Sequence, residues 1–151
     1  MILVIGAAAS GKREYVRFLG YTDEQVTDAA LSIPSGCAGG ISTDGVTAPA
    51  SDGVTALAPD GVTAFVRDDT RPVLVNLHEL VFAAPAAAPD LLELLLTREL
   101  VTCDEVGSGV IPGEPRARAA REASGRLCNQ LAQQAEKVVR LVAGIPIVIK
   151  G

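Results

Sequence analysis

The sequence predicts an α/β fold in one domain over residues 1–151, a mainly parallel sheet with helices on its faces. Three observations predict it. A short continuous apolar run, Ile2-Leu3-Val4-Ile5, passes through a glycine-containing loop into Lys12 to Leu19, a stretch patterned as a short helix. Two more apolar runs, Val73-Leu74-Val75 and Leu100-Val101-Thr102, read as strands separated by helical stretches. Strands buried on both faces read as unbroken apolar runs, and their alternation with helices implies parallel pairing.

The elements follow in order. Val73-Leu74-Val75 comes after Pro72 and is largely β-branched, as a buried strand tends to be. Leu91 to Leu96 reads as a helix with Asp90 as its cap. Pro115 suits the first turn of a long helix, along which Leu127, Leu131, Ala135 and Val138 recur at helical spacing. Leu141-Val142-Ala143 and Ile145 to Ile149 close the chain as a strand pair, or as one strand bent around Gly144-Ile145-Pro146.

Between about residues 32 and 69 the character changes. Asp-Gly-Val-Thr-Ala occurs three times, starting at Asp44, Asp52 and Asp60, a period of eight residues. Three such short copies cannot build a stacked solenoid core. Asp-Gly favours turns, so short hairpins are one reading. A flexible or weakly ordered low-complexity insertion is the preferred one, because Pro, Gly, Ser and Ala surround the copies and few large apolar residues are available to bury.

Composition narrows the function classes. A net charge of −5 argues against a nucleic-acid surface, which needs a basic field. The longest uncharged apolar run, Leu80 to Pro89, falls far short of the roughly 18–20 residues a membrane span requires. With no signal peptide legible at Met1, the expected compartment is the cytoplasm. Cys37, Cys103 and Cys128 are widely spaced and lack a CxxC pair, so neither a disulfide framework nor a metal site is expected of them.

The chemistry concentrates in two stretches. Gly6-Ala7-Ala8-Ala9-Ser10-Gly11-Lys12-Arg13 follows a strand and precedes a helix, the context in which backbone N–H groups converge on phosphate oxygens. Lys12 takes the place of the phosphate-binding lysine. The eighth position, usually a Ser or Thr that joins the Mg²⁺ shell, is Arg13, and arginine cannot ligate a metal. Downstream, Glu105-Val106-Gly107-Ser108-Gly109 follows a strand end, where ligands collect in open α/β sheets. Glu105 reads either as a polar contact to ligand or as a loop carboxylate capping a neighbour. Arg118, Arg121 and Gly125 share a helix face, fit to grip phosphate oxygens or a partner's carboxylate, with a solvated charged face as the alternative. His78, the sole histidine, reads as a structural or partly buried residue just past a strand.

On these residues, and on Cys103-Asp104-Glu105-Val106-Gly107-Ser108-Gly109-Val110-Ile111-Pro112, Arg118 to Gly125 and the closing Ala143-Gly144-Ile145-Pro146, the chain resembles the adenosylcobinamide kinase/adenosylcobinamide-phosphate guanylyltransferase family, as a divergent and shortened member. The likeness covers residues 1–13 and 100–150 well and 71–80 weakly. It implies a phosphate-loop, RecA-like, three-layer α/β fold and a homo-oligomer. It also implies phosphorylation of the corrinoid adenosylcobinamide with GTP or ATP, in assembly of the cobalamin nucleotide loop, followed in the family by guanylyl transfer through a histidine. By position, residues 6–13 would cradle the triphosphate with Arg118 and Arg121 nearby, while Lys12 and Glu105 would act on the reacting groups. Departures fall at the chemistry: Ala9 replaces an arginine, Arg13 the metal-ligating serine, Asn76 an acid, and Asp104 an asparagine. Cys128 and Asn129 stand at the usual Asn-Gln positions, and the repeats replace the region that carries the guanylylated histidine. Guanylyl transfer by the family route is therefore not expected, and the part of Mg²⁺ stays open.

Overall fold

Side chains alternate across the strands and divide the core of this computed structural model into two layers. The structure describes residues 1–32, 58–106 and 113–151. Within them the strands are β1 (Ile2–Gly6), β2 (Val26–Asp28), β3 (Val73–Val75), β4 (Leu100–Asp104), β5 (Lys137–Val142) and β6 (Ile145–Lys150). The helices are α1 (Lys12–Phe18), α2 (Ala29–Ser32), α3 (Pro59–Asp68), α4 (Leu77–Ala83), α5 (Ala88–Leu96) and α6 (Pro115–Gln134). The strands form one sheet in the order β2-β3-β4-β1-β5-β6, all parallel except the β5–β6 pair.

Leu3, Leu74, Val101, Cys103 and Val138 are buried on one face, under α3, α4, α5 and α6. Val4, Val73, Val75, Leu100 and Leu141 pack on the other, with Val16 of α1 and the partly buried Tyr15 and Tyr21. Each fully buried Leu or Val contributes roughly 1.5–3 kcal/mol of transfer free energy, so the two layers supply the main driving force. The mainly parallel α/β architecture expected from the sequence is therefore present.

Three local expectations change and one open alternative is decided. The third repeat, Asp60-Gly61-Val62-Thr63-Ala64, is neither hairpin nor weakly ordered. It lies in α3, with Pro59 in the first turn and Val62 and Val66 buried one turn apart. Burial of two valines outweighs the roughly 1 kcal/mol that Gly61 concedes to alanine in a helix. The first two copies lie outside the described residues, as do Cys37 and residues 107–112. Asp90 does not cap α5, whose N-cap is Ala87; Pro89 sits in the first turn and Asp90 beside it. The apolar spacing Leu127, Leu131, Ala135, Val138 crosses a boundary, because α6 ends at Gln134, Ala135 is extended, and Val138 belongs to β5. Finally, the chain's end is a strand pair, closed by Ala143 and Gly144, both at positive φ, as tight primed hairpin turns require.

The α6 start matches the expectation. Glu114 caps it, accepting from the N–H groups of Arg116 (2.9 Å) and Ala117 (2.7 Å), and Pro115 follows in the first turn. At the N-terminal edge of the sheet, Arg98 is 5 % exposed and donates to the Val66 carbonyl (2.6 Å) and to Asp69 (3.4 Å). Arg98 also donates to the Arg71 carbonyl, and Arg71 pairs with Asp69. Burial pushes the Asp69 carboxyl up, but hydrogen bonds from the side chain and backbone of Arg71 outweigh it and hold the group well below the usual carboxylate range.

Candidate functional site

The C-terminal ends of β1, β3 and β4 open into one cavity of about 630 Å³. The strand order switches at β1, with β4 on one side of it and β5 on the other, so the loop after β1 meets a crevice, where ligands bind in open α/β sheets. Two glycines shape that loop. A β-carbon on Gly6 would lie 2.5 Å from Ser10 Oγ and 2.8 Å from the Leu141 carbonyl, and Gly11 has φ +89°, which strains any other residue. The hairpin tip braces the loop, with Gly144 N donating to the Ser10 carbonyl at 3.1 Å.

Lys12 is turned back into this loop and is 8 % exposed. Its Nζ donates to the carbonyls of Ala7 (2.6 Å) and Gly6 (3.3 Å), to Ser10 Oγ (3.3 Å), and pairs with Asp104 Oδ1 at 2.6 Å. Arg13 lines the same cavity and pairs through NH1 with Asp28 Oδ2 at 2.9 Å. Asp28, at the end of β2, also accepts from Asn76 Nδ2 (2.8 Å) and Ala30 N (3.0 Å). Asn76 holds a left-handed conformation, φ 61°, at the N-cap position of α4, where its side chain makes no capping hydrogen bond. On the opposite wall Glu105 donates its N–H to the Gly6 carbonyl (2.9 Å), and its carboxylate meets Arg140 of β5 through Nε (2.8 Å) and NH2 (2.9 Å), a fork-to-fork geometry.

Of the residues singled out from sequence, Ala8 to Arg13 and Glu105 line the cavity, with Gly6 and Ala7 behind Lys12. Arg118 and Arg121 do not line it among the described residues; Arg118 donates to the Gly113 carbonyl at 2.6 Å on the α6 start. Sequence reasoning missed Asp28 and Arg140 and noted Asp104 only as a substitution. All three sit on strands, and Asp28 and Asp104 end theirs, which is the one local signal that would have found them. His78 is a partly buried residue just past a strand, as expected, yet it also lines the cavity. Its Nδ1 accepts from Asp104 N (3.4 Å) and its Nε2 lies 3.3 Å from Glu79 Oε1 and 3.7 Å from Asp104 Oδ2. The neighbouring Cys128 thiol, together with burial, pushes the Cys103 thiol well up.

With this geometry in place, the comparison with family models is decisive for the C-terminal half. Residues 78–149 match the model described as cobinamide kinase / cobinamide phosphate guanyltransferase. Over that segment the chain is similar to this family. Enzymes of the cobinamide kinase family act in cobalamin synthesis with nucleoside triphosphates as substrates. The match takes in His78, Asp104, Glu105 and Arg140 and begins after the loop 6–13 and Asn76. No curated protein matches the chain. Among the described residues no helix is long and apolar enough to cross a membrane.

Proposed function

We propose that the protein is a nucleotide-dependent kinase of the cobinamide kinase type, built on a phosphate-loop, RecA-like scaffold and working in the cytoplasm on a corrinoid acceptor. One observation carries this reading: the loop 6–13 and the family-matched segment converge on a single cavity, whose volume of about 630 Å³ suits a nucleotide-sized ligand. In it GTP or ATP would lie along the backbone N–H groups of residues 7–12. Lys12 would neutralise charge on the transferring phosphoryl group, and Glu105, steadied by Arg140, would orient the acceptor hydroxyl. Guanylyl transfer is not part of the proposal. Homo-oligomeric assembly is, with Ile145, Ile147 and Ile149 exposed on the edge strand β6 as apolar surface for it.

Titrating the protein with GTP and ATP by calorimetry, then adding cobinamide and following phosphate transfer, tests the reading. Binding followed by transfer is expected, and Lys12→Ala is expected to weaken binding on the order of tenfold to a hundredfold, the range for loss of a charge-assisted contact. Absence of nucleotide binding would refute it. A second reading, a nucleotide-binding scaffold without turnover, is favoured by one feature, the ion pairs that engage both Lys12 and Arg13. Binding without transfer would select it.

A further inference from the structure

We infer that the cavity takes the phosphate groups of its ligand without a divalent cation at the loop's eighth position, and that Arg13, tethered by Asp28, occupies the metal's place. The inference rests on the nucleotide reading above and deepens it.

The residues present do not fit Mg²⁺ there. That ion demands near-octahedral oxygen ligands. Arg13 offers only donors. Asn76 aims its amide nitrogen at Asp28 Oδ1, 2.8 Å away. Asp28, the carboxylate paired with Arg13, has Oδ2 engaged by Arg13 at 2.9 Å and Oδ1 by Asn76 and by Ala30 N at 3.0 Å, and Asp104 of the same cavity is engaged by Lys12 at 2.6 Å. Asp28 is 8 % exposed, so a dication beside it would meet a guanidinium before it met water. Among the described residues no group of three or more His, Cys, Asp or Glu is placed to hold a metal.

The same three residues suit a phosphate instead. Arg13 faces the cavity with its side chain 44 % exposed, and Asp28 is its hydrogen-bond partner among the described residues, reached through NH1 alone. A guanidinium carries five donors in a planar fork that matches phosphate oxygens, so most of them stay available. The chain of contacts Asn76 to Asp28 to Arg13 holds that fork before ligand arrives, which reduces the ordering required on binding. Lys12 is the second cation, once phosphate displaces Asp104 from it.

The test is calorimetric titration with GTP in buffer containing saturating Mg²⁺ and in buffer containing EDTA. The expected result is a Kd that agrees within about twofold between the two buffers. Arg13→Ser should weaken binding in EDTA about tenfold or more, as loss of a charge-assisted contact does. Arg13→Lys, which keeps the charge but not the fork, should recover only part of it. The double change Arg13→Ser with Asn76→Asp, which restores a hydroxyl and an acid, should bind GTP only with Mg²⁺. Wild-type binding at least tenfold tighter with Mg²⁺ would overturn the inference and leave the nucleotide reading standing. So would undiminished binding by a folded Arg13→Ser variant in EDTA. Should that variant fail to fold, the wild-type comparison and Arg13→Lys decide. No binding of GTP or ATP in either buffer would remove the nucleotide reading and the inference together.

Discussion

Two charged clusters sit at opposite ends of the sheet, and they differ in what their arginines and lysines touch. At the N-terminal ends of β3 and β4, Arg98 is buried and spends its donors on the Val66 and Arg71 carbonyls and on Asp69. At the C-terminal ends, Arg13 and Arg140 each meet one carboxylate and stay 44 % and 49 % exposed on the side chain. The first cluster ties α3 and the segments preceding β3 and β4 together and leaves little donor capacity. In the second, Arg13 keeps donor capacity facing a cavity. Cationic side chains thus serve structure where backbone carbonyls saturate them and keep donors available where carbonyls do not.

The sharpest way to break this contrast is to delete the buried cation. Arg98→Ala is expected to destabilise the fold by roughly 3–5 kcal/mol, the cost of leaving a buried charge and carbonyls without partners, and to lower Tm in thermal melts. The same cluster should show in the pH dependence. The Asp69 carboxyl titrates lower in the folded chain than in the unfolded one, so its contribution is fully present above the unfolded value near 4 and is lost as pH falls through the folded value. Melts from pH 7 downward should therefore lose stability mainly below about pH 4 in the wild type, and less so in Asp69→Asn.

A smaller effect, of opposite sign, is expected at the cavity. Asp104 holds Lys12 at 2.6 Å and presents a negative charge to any incoming phosphate. Asp104→Asn should tighten GTP binding by about threefold to tenfold, in the range of one charge interaction near a surface. Weaker binding in a variant of normal stability would show that Asp104 contributes to ligand binding and does not oppose it. Smallest of all, Arg140→Gln should change stability by no more than about 1 kcal/mol, because the pair with Glu105 is substantially solvated on the arginine side. A loss of several kcal/mol in denaturant titration would place that pair with the buried cluster instead.

Much of the scaffold was legible. β1, β3 and β4 announce themselves as unbroken apolar runs, and Pro115 marks the start of α6. β2 has only Val26, Thr27 and Asp28, too few residues for any periodicity to register. α3 hid within a repeat whose Asp-Gly steps signal turns, and only the neighbouring α5 and the sheet make burial of Val62 and Val66 worthwhile. At the site, the loop and Glu105 were readable because their spacing is local. Asp28 and Arg140 were not, since their partners lie 15 and 35 residues away.

The sequence by itself therefore determined the local pieces: the strand entering a glycine-shaped loop, the basic residues Lys12 and Arg13 that follow, and the family likeness of the C-terminal half that the match over residues 78–149 bears out. Tertiary structure alone decided what those basic residues face. Pairing of Lys12 with Asp104 and of Arg13 with Asp28 depends on the ends of β1, β2 and β4 being brought to one rim by the sheet order. Charge interactions act through distances in space, and residue spacing encodes those distances only within a helix turn or a strand.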